Sequence, residues 1–117
     1  MTSATVIYKI ATAEQWRAAE ATGVFHGAPI DLADGYIHFS TGEQVAGTLA
    51  KHFTGQRELL LVAVDPARLG PALRWEVSRG GQLFPHLYAP LPLAAVKWAK
   101  ELPLGADGQH VFPAMEA

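Results

Sequence analysis

His38, Ser40 and Thr41 stand close together in Asp34-Gly35-Tyr36-Ile37-His38-Phe39-Ser40-Thr41. In an extended strand alternate side chains share a face, so Tyr36, His38 and Ser40 point one way and Ile37 and Phe39 the other. The second set suits a core and the first suits chemistry. An imidazole can donate to a sugar hydroxyl or exchange a proton near neutral pH. Ser40 and Thr41 are favoured helix N-caps, and Thr41-x-x-Gln44 has the form of a capping box, so a helix is expected where the strand stops. That junction offers a histidine, hydroxyls and unpaired backbone N–H groups to an anionic or sugar-like ligand.

Further polar residues fall on the outward faces of expected strands: Lys9, Arg74 with Glu76, and His86. If those strands are neighbours, the residues line one cleft suited to phosphate and ribose. Tyr36 and Tyr88 are the stacking candidates, whereas Trp16, Trp75 and Trp98 occupy core-like positions. His26, His52 and His110 read as structural or solvent-exposed. No metal site is expected, because HExxH, H-x-x-x-H and cysteine clusters are all missing. Gly80-Gly81 lacks the pattern of a phosphate-binding loop and reads as a turn. Ser40 has no nucleophile elbow, which argues against a hydrolase triad.

The elements that must position these groups follow from periodicity and punctuation. Residues 5–10 read as a first strand. Thr12 and Gln15 form a capping box for a helix ended by Gly23, with Trp16 and Ala19 inward. Residues 24–33 read as a loop. The central strand and a helix from about Thr41 to Phe53 follow, closed by Thr54-Gly55. Residues 58–64 form a continuous apolar run, expected as a strand buried on both faces in the middle of a sheet. Asp65-Pro66 marks a turn or single helical turn. Residues 73–77 alternate, with Leu73, Trp75 and Val77 expected inside. Residues 83–88 are extended, and Pro85 suggests an edge or irregular strand. Leu93 to Ala95 suggests one turn and residues 96–102 a last strand.

Strand, helix, strand, helix, then mostly strands is an α+β order rather than regular βαβ alternation. With 117 residues, half of them apolar, the chain is expected to be one compact domain, 1–117, with a loop-like tail from about 103. A net charge of −2 provides no overall attraction to nucleic acid. Cysteine is absent, which removes disulfides and thiolate catalysis and fits a cytoplasmic setting. The first five residues lack the form of a signal peptide, and no apolar run suits a membrane span.

Ile7-Tyr8-Lys9-Ile10, the 34–41 motif with Gln44-Val45, Val64-Asp65-Pro66-x-x-Leu69 and Phe84-Pro85-His86-Leu87-Tyr88 with Pro90-Leu91 resemble a small bacterial family, domain of unknown function 952. The resemblance spans nearly the whole chain. It implies a fold similar to ADP-ribosyltransferases and RNA 2′-phosphotransferases: two N-terminal helices with a mixed, mostly antiparallel split sheet, and NAD or an ADP-ribosylated intermediate in the cleft. Carried over, Lys9 takes the first-strand position, His38 with Ser40 the second and His86 the third. Lys9 stands where histidine or arginine is usual, and His86 where a glutamate is expected.

The resulting expectation is a protein that binds NAD, ADP-ribose or a related nucleotide and transfers ADP-ribose, with NAD as a substrate rather than a resident cofactor. His38 orients the sugar, Lys9 or Arg74 holds phosphate, and His86 or Glu76 stands near the reacting centre; Tyr36, Ser40, Thr41 and Tyr88 add contacts. The alternative is a non-catalytic module for a small ligand or a protein partner.

Overall fold

The computed structural model describes residues 5–115. Residues 1–4, on which most of the leader argument rests, and 116–117, the end of the expected tail, lie outside the described residues. Among the described residues no helix is long and apolar enough to cross a membrane.

Strand β1 (Ile7–Thr12) pairs with β4 (Leu59–Val64), which pairs in turn with β8 (Val96–Glu101). A second sheet has β6 (Leu83–Leu87) between β3 (Ile37–His38) and β5 (Leu73–Val77). Two short strands, β2 (Val24–Phe25) and β7 (Leu91–Pro92), form a ribbon. The expected split sheet is therefore present, but every pairing between these strands is antiparallel rather than mixed. A bridge between Tyr8 and Ser40 ties the two larger sheets together.

The apolar run of β4 is covered on both faces. Val62 and Val64 pack with Ile7, Trp16, Phe25 and Leu87, while Leu59, Leu61 and Ala63 pack with Tyr8, Ile10, Val45 and Leu49. Each of the valine, leucine and isoleucine side chains among these stabilises the fold by about 1.5–3 kcal/mol on burial. Helix α1 (Ala13–Thr22) begins at the reciprocal Thr12–Gln15 box and ends at Gly23, whose φ of 83° favours glycine. Helix α3 (Val45–His52) presents Val45 and Leu49 to the second cluster.

Several expectations require correction. Residues 24–33 are not a plain loop: they contain β2 and helix α2 (Pro29–Asp34), so three helices stand before the later strands. Six residues are too few to show a 3.6-residue period, and Ala28 is a poor N-cap; Asp31 substitutes by accepting the Ala28 N–H at 2.7 Å. The strand read over 34–41 is paired with β6 only at Ile37 and His38. The helix expected from Thr41 starts at Val45, although Gln44 Oε1 accepts the Thr41 N–H at 3.0 Å, as a capping glutamine should. Val77 is 71% exposed, not core.

Pro85 lies in the middle strand of its sheet rather than at an edge. Its carbonyl accepts the Phe39 N–H at 3.0 Å, but proline has no N–H to return. Pairing with β3 stops there, and the chain turns from β6 toward β1, where Ser40 and Tyr8 exchange backbone bonds of 2.8 Å each.

Candidate functional site

Register assembles the site. His38 lies opposite His86, and His86 lies opposite Arg74, so β3, β6 and β5 place these three residues in one row across the sheet. Glu76, two residues beyond Arg74, shares its face. Its Oε1 accepts from His86 Nδ1 at 2.8 Å and from the Tyr88 hydroxyl at 2.7 Å. The Tyr36 ring lies 4.7 Å from His38, 4.3 Å from His86 and 5.1 Å from Tyr88, centroid to centroid. The Arg74 guanidinium sits 4.8 Å over the Tyr88 ring. Aromatic contacts of this kind add about 0.5–1.5 kcal/mol each beyond burial.

His38 is fixed from below by α2. Asp31 Oδ1 accepts from the His38 backbone N–H at 3.1 Å and from Nδ1 at 2.6 Å. Lys9 Nζ lies 2.8 Å from Asp31 Oδ2 and 3.0 Å from Oδ1. Burial alone pushes the Asp31 carboxyl up, but the His38 bond, the Lys9 charge and bond, and the Ala28 amide outweigh it and hold the group at about 2. Burial also pushes the Lys9 ammonium below its ordinary 10.5, against the pull of Asp31. On the outer side His38 Nε2 is 2.9 Å from Asp34 Oδ2. Both contacts of the ring are hydrogen bonds only when it carries two protons.

The neighbouring groups respond to the same field. Glu76 is lowered from its ordinary 4.5 by the Tyr88 and His86 bonds. Tyr88 is raised chiefly because its hydroxyl donates to Glu76. Burial, with the charges of Asp34 and Glu76, raises Tyr36. Beside Tyr36 and Tyr88 runs a groove of about 260 Å3, floored by Asp31, Ile37 and Leu87. A larger concavity of about 410 Å3 lies where α1 begins, between Thr12 and Arg57, and contains none of the predicted site residues.

The fold thus brings together Tyr36, His38, Glu76, His86, Tyr88 and Arg74. Lys9 joins only through Asp31: it is 5% exposed and its charge is spent there, so it does not open on the cleft as expected. Ser40 turns toward α3, with Oγ 2.9 Å from Thr48 Oγ1, and Thr41 is engaged through its backbone N–H with Gln44. Sequence reasoning missed Asp31 and Asp34. Their i, i+3 spacing places both on one side of a helix, a signal hidden because that helix was read as a loop.

Chemically, one solvent-facing imidazole is held by a buried carboxylate, and a second, buried imidazole is held by an exposed carboxylate. Such a pair suits proton exchange with, or orientation of, a hydroxylated ligand lying on Tyr36.

Over residues 10–99 the chain matches the model of a family described as protein of unknown function (DUF952). It is similar to the crystal structure of protein CC0527 from Caulobacter crescentus, with 51% identity, a TM-score of 0.87 and coverage of 92% of this chain and 94% of that one. The solution NMR structure of CC0527 has 53% identity, a TM-score of 0.80 and coverage of 89% and 90%. No curated protein matches.

Proposed function

The chain belongs to the DUF952 family, and because that membership supplies no chemistry we propose a function from the site: it binds NAD, ADP-ribose or a related nucleotide and transfers ADP-ribose. The observation that carries this reading is the row His38, His86 and Arg74 roofed by Tyr36 and Tyr88, which joins a π-surface to two carboxylate-oriented imidazoles. Tyr36 and Tyr88 stack on a planar ring of the ligand, with Arg74 closing the Tyr88 end. His38, aimed by Asp31, contacts the ribose. Lys9 acts as a positioning residue that keeps Asp31 ionised.

Departure of nicotinamide develops positive charge on the ribose, and a carboxylate beside it stabilises that charge. The likeness to ADP-ribosyltransferases led to the expectation of a glutamate at the third strand position, where this chain has His86. Glu76 stands 2.8 Å from His86 on the adjacent strand and supplies the carboxylate for that task. With this function we infer a resemblance in fold to those transferases and a cytoplasmic setting.

The protein incubated with NAD should release nicotinamide, water taking up the ADP-ribose where no other acceptor is supplied, and His38→Ala should slow release by at least about a hundredfold while keeping a native amide spectrum. Release at the wild-type rate from His38→Ala removes His38 from the reaction. The alternative of binding without chemistry is favoured by one feature: the His86 side chain is only 4% exposed. Saturable ADP-ribose binding with no nicotinamide release on prolonged incubation selects it.

A further inference from the structure

The site described above makes no use of Arg79. Its guanidinium is nevertheless held in place from three sides. Nη1 donates to Thr48 Oγ1 at 3.3 Å, the group lies 5.0 Å over the Phe84 ring, and it rests against α3 at Gly47, where a Cβ would stand 3.1 Å from Nη2. Thr48 is held in turn: its hydroxyl donates to the Gln44 carbonyl at 3.1 Å and so accepts from both Arg79 and Ser40.

A guanidinium has five N–H donors. Among the described residues only one is spent on a protein acceptor, and no carboxylate lies within ion-pair distance. Arg74 differs, since it shares the field of Glu76. His52, at the end of α3, is lowered from its ordinary 6.5 by burial first and then by the charges of Lys51, Arg79 and His38. Lys51 and His52 follow Gly47 and Thr48 by four residues each on α3 and so share the helix face on which Arg79 rests, three cationic or potentially cationic groups that repel one another with no acid within ion-pair distance among the described residues. That repulsion falls when an anion enters, and a fixed guanidinium fork is a fitting receptor for a phosphoryl group.

We propose that Arg79, with His52 and Lys51 of α3, forms an oxyanion subsite beside His38 that takes a phosphate or pyrophosphate group. Calling this group the phosphate of the bound nucleotide rests on the function proposed above; the subsite itself stands on the Arg79 cluster. The phosphate anchor then belongs to α3 and the turn after β5, rather than to Lys9 or Arg74. Thr48, which accepts from Arg79, is also bonded to Ser40, two residues from His38, and Tyr36 lies against the other side of the site at His38, so the ribose reaches His38 with its phosphate toward α3 and its base toward Tyr36.

The test is an NMR titration with inorganic pyrophosphate and, separately, with ADP-ribose, on the wild type, Arg79→Ala and Arg74→Ala. Pyrophosphate should give saturable shifts at Gly47, Thr48 and His52 and raise the His52 titration midpoint. Its affinity should fall about tenfold or more in Arg79→Ala, as expected on loss of a charged hydrogen-bonding anchor, and survive in Arg74→Ala. A native-like amide spectrum of Arg79→Ala shows that the loss is local; if that variant does not fold, Gly47→Ala, which crowds Nη2 while retaining the charge, should weaken pyrophosphate binding instead. Pyrophosphate that binds no differently in these variants, or only through Arg74, overturns the subsite. ADP-ribose that shifts Tyr36 and His86 but not Arg79 overturns it while sustaining the nucleotide reading. Pyrophosphate binding at Arg79 with no response to ADP-ribose sustains the subsite and removes that reading.

Discussion

The two histidines that face each other across β3 and β6 are built as opposites. In the His38 pair the carboxylate is buried and the ring is part exposed, with side-chain exposures of 1% for Asp31 and 31% for His38. In the His86 pair the ring is buried at 4% and Glu76 is exposed at 36%. Asp31 has no access to bulk water and must be satisfied by the protein, so Lys9, His38 and the Ala28 amide all converge on it. Glu76 is wet and exchanges its bonds with solvent at little cost. The contrast teaches that Asp31 is part of the fold as well as of the candidate site, whereas Glu76 is little tied to the fold.

The largest break of this comparison is Asp31→Ala. It strands the Lys9 ammonium in the interior and should cost about 3–5 kcal/mol, which chemical denaturation would read as a large drop in midpoint. A loss as small as that of an ordinary surface substitution would show that Lys9 finds water and that the two pairs are alike. Acid should act next. Asp31 has a folded value of about 2 against an ordinary 3.8, so its contribution is fully present above the unfolded value and disappears as pH falls through about 2. The loss is about 2 kcal/mol, measurable as the difference between urea midpoints at neutral pH and near pH 2, and it should be absent from an Asp31→Asn background.

Asp34→Asn removes only the half-exposed outer partner of His38 and should change stability by under about 1 kcal/mol. Its useful readout is the His38 ring in NMR, where the Nε2 environment should change while the Nδ1 bond to Asp31 persists. Glu76→Gln should have the smallest effect on stability. It should bring the Tyr88 hydroxyl back toward its ordinary 10.0, seen in an ultraviolet titration, because the bond to Glu76 is the main cause of its rise. An unchanged Tyr88 titration would show that the 2.7 Å bond does not persist in solution.

Legibility in the sequence differs between these regions for the same reason. The alternation of 73–77 did place Arg74 and Glu76 on one face, and the 34–41 motif did place Tyr36 and His38 together, because strand periodicity is local. The same rule put Val77 inside, where no neighbouring element covers it. Asp31 was missed because its partner Lys9 lies on another element, 22 residues away. Arg79 stands beside the Gly80-Gly81 turn, yet its side chain reaches Thr48, 31 residues back along the chain.

By itself the sequence determined what depends on neighbours within a turn or a strand: the Thr12–Gln15 cap, the Asp65-Pro66 turn, the doubly buried run of β4 and the α+β order. These rest on dihedral preference, capping bonds and side-chain period, each set within a few residues. Only the tertiary structure decided that Pro85 sits in a central strand, that His38 meets His86, and that Lys9 is closed off by Asp31. Those outcomes depend on which distant segments pair and in what register, a choice made by burying both faces of β4 and pairing the polar side chains that are buried with them among the described residues.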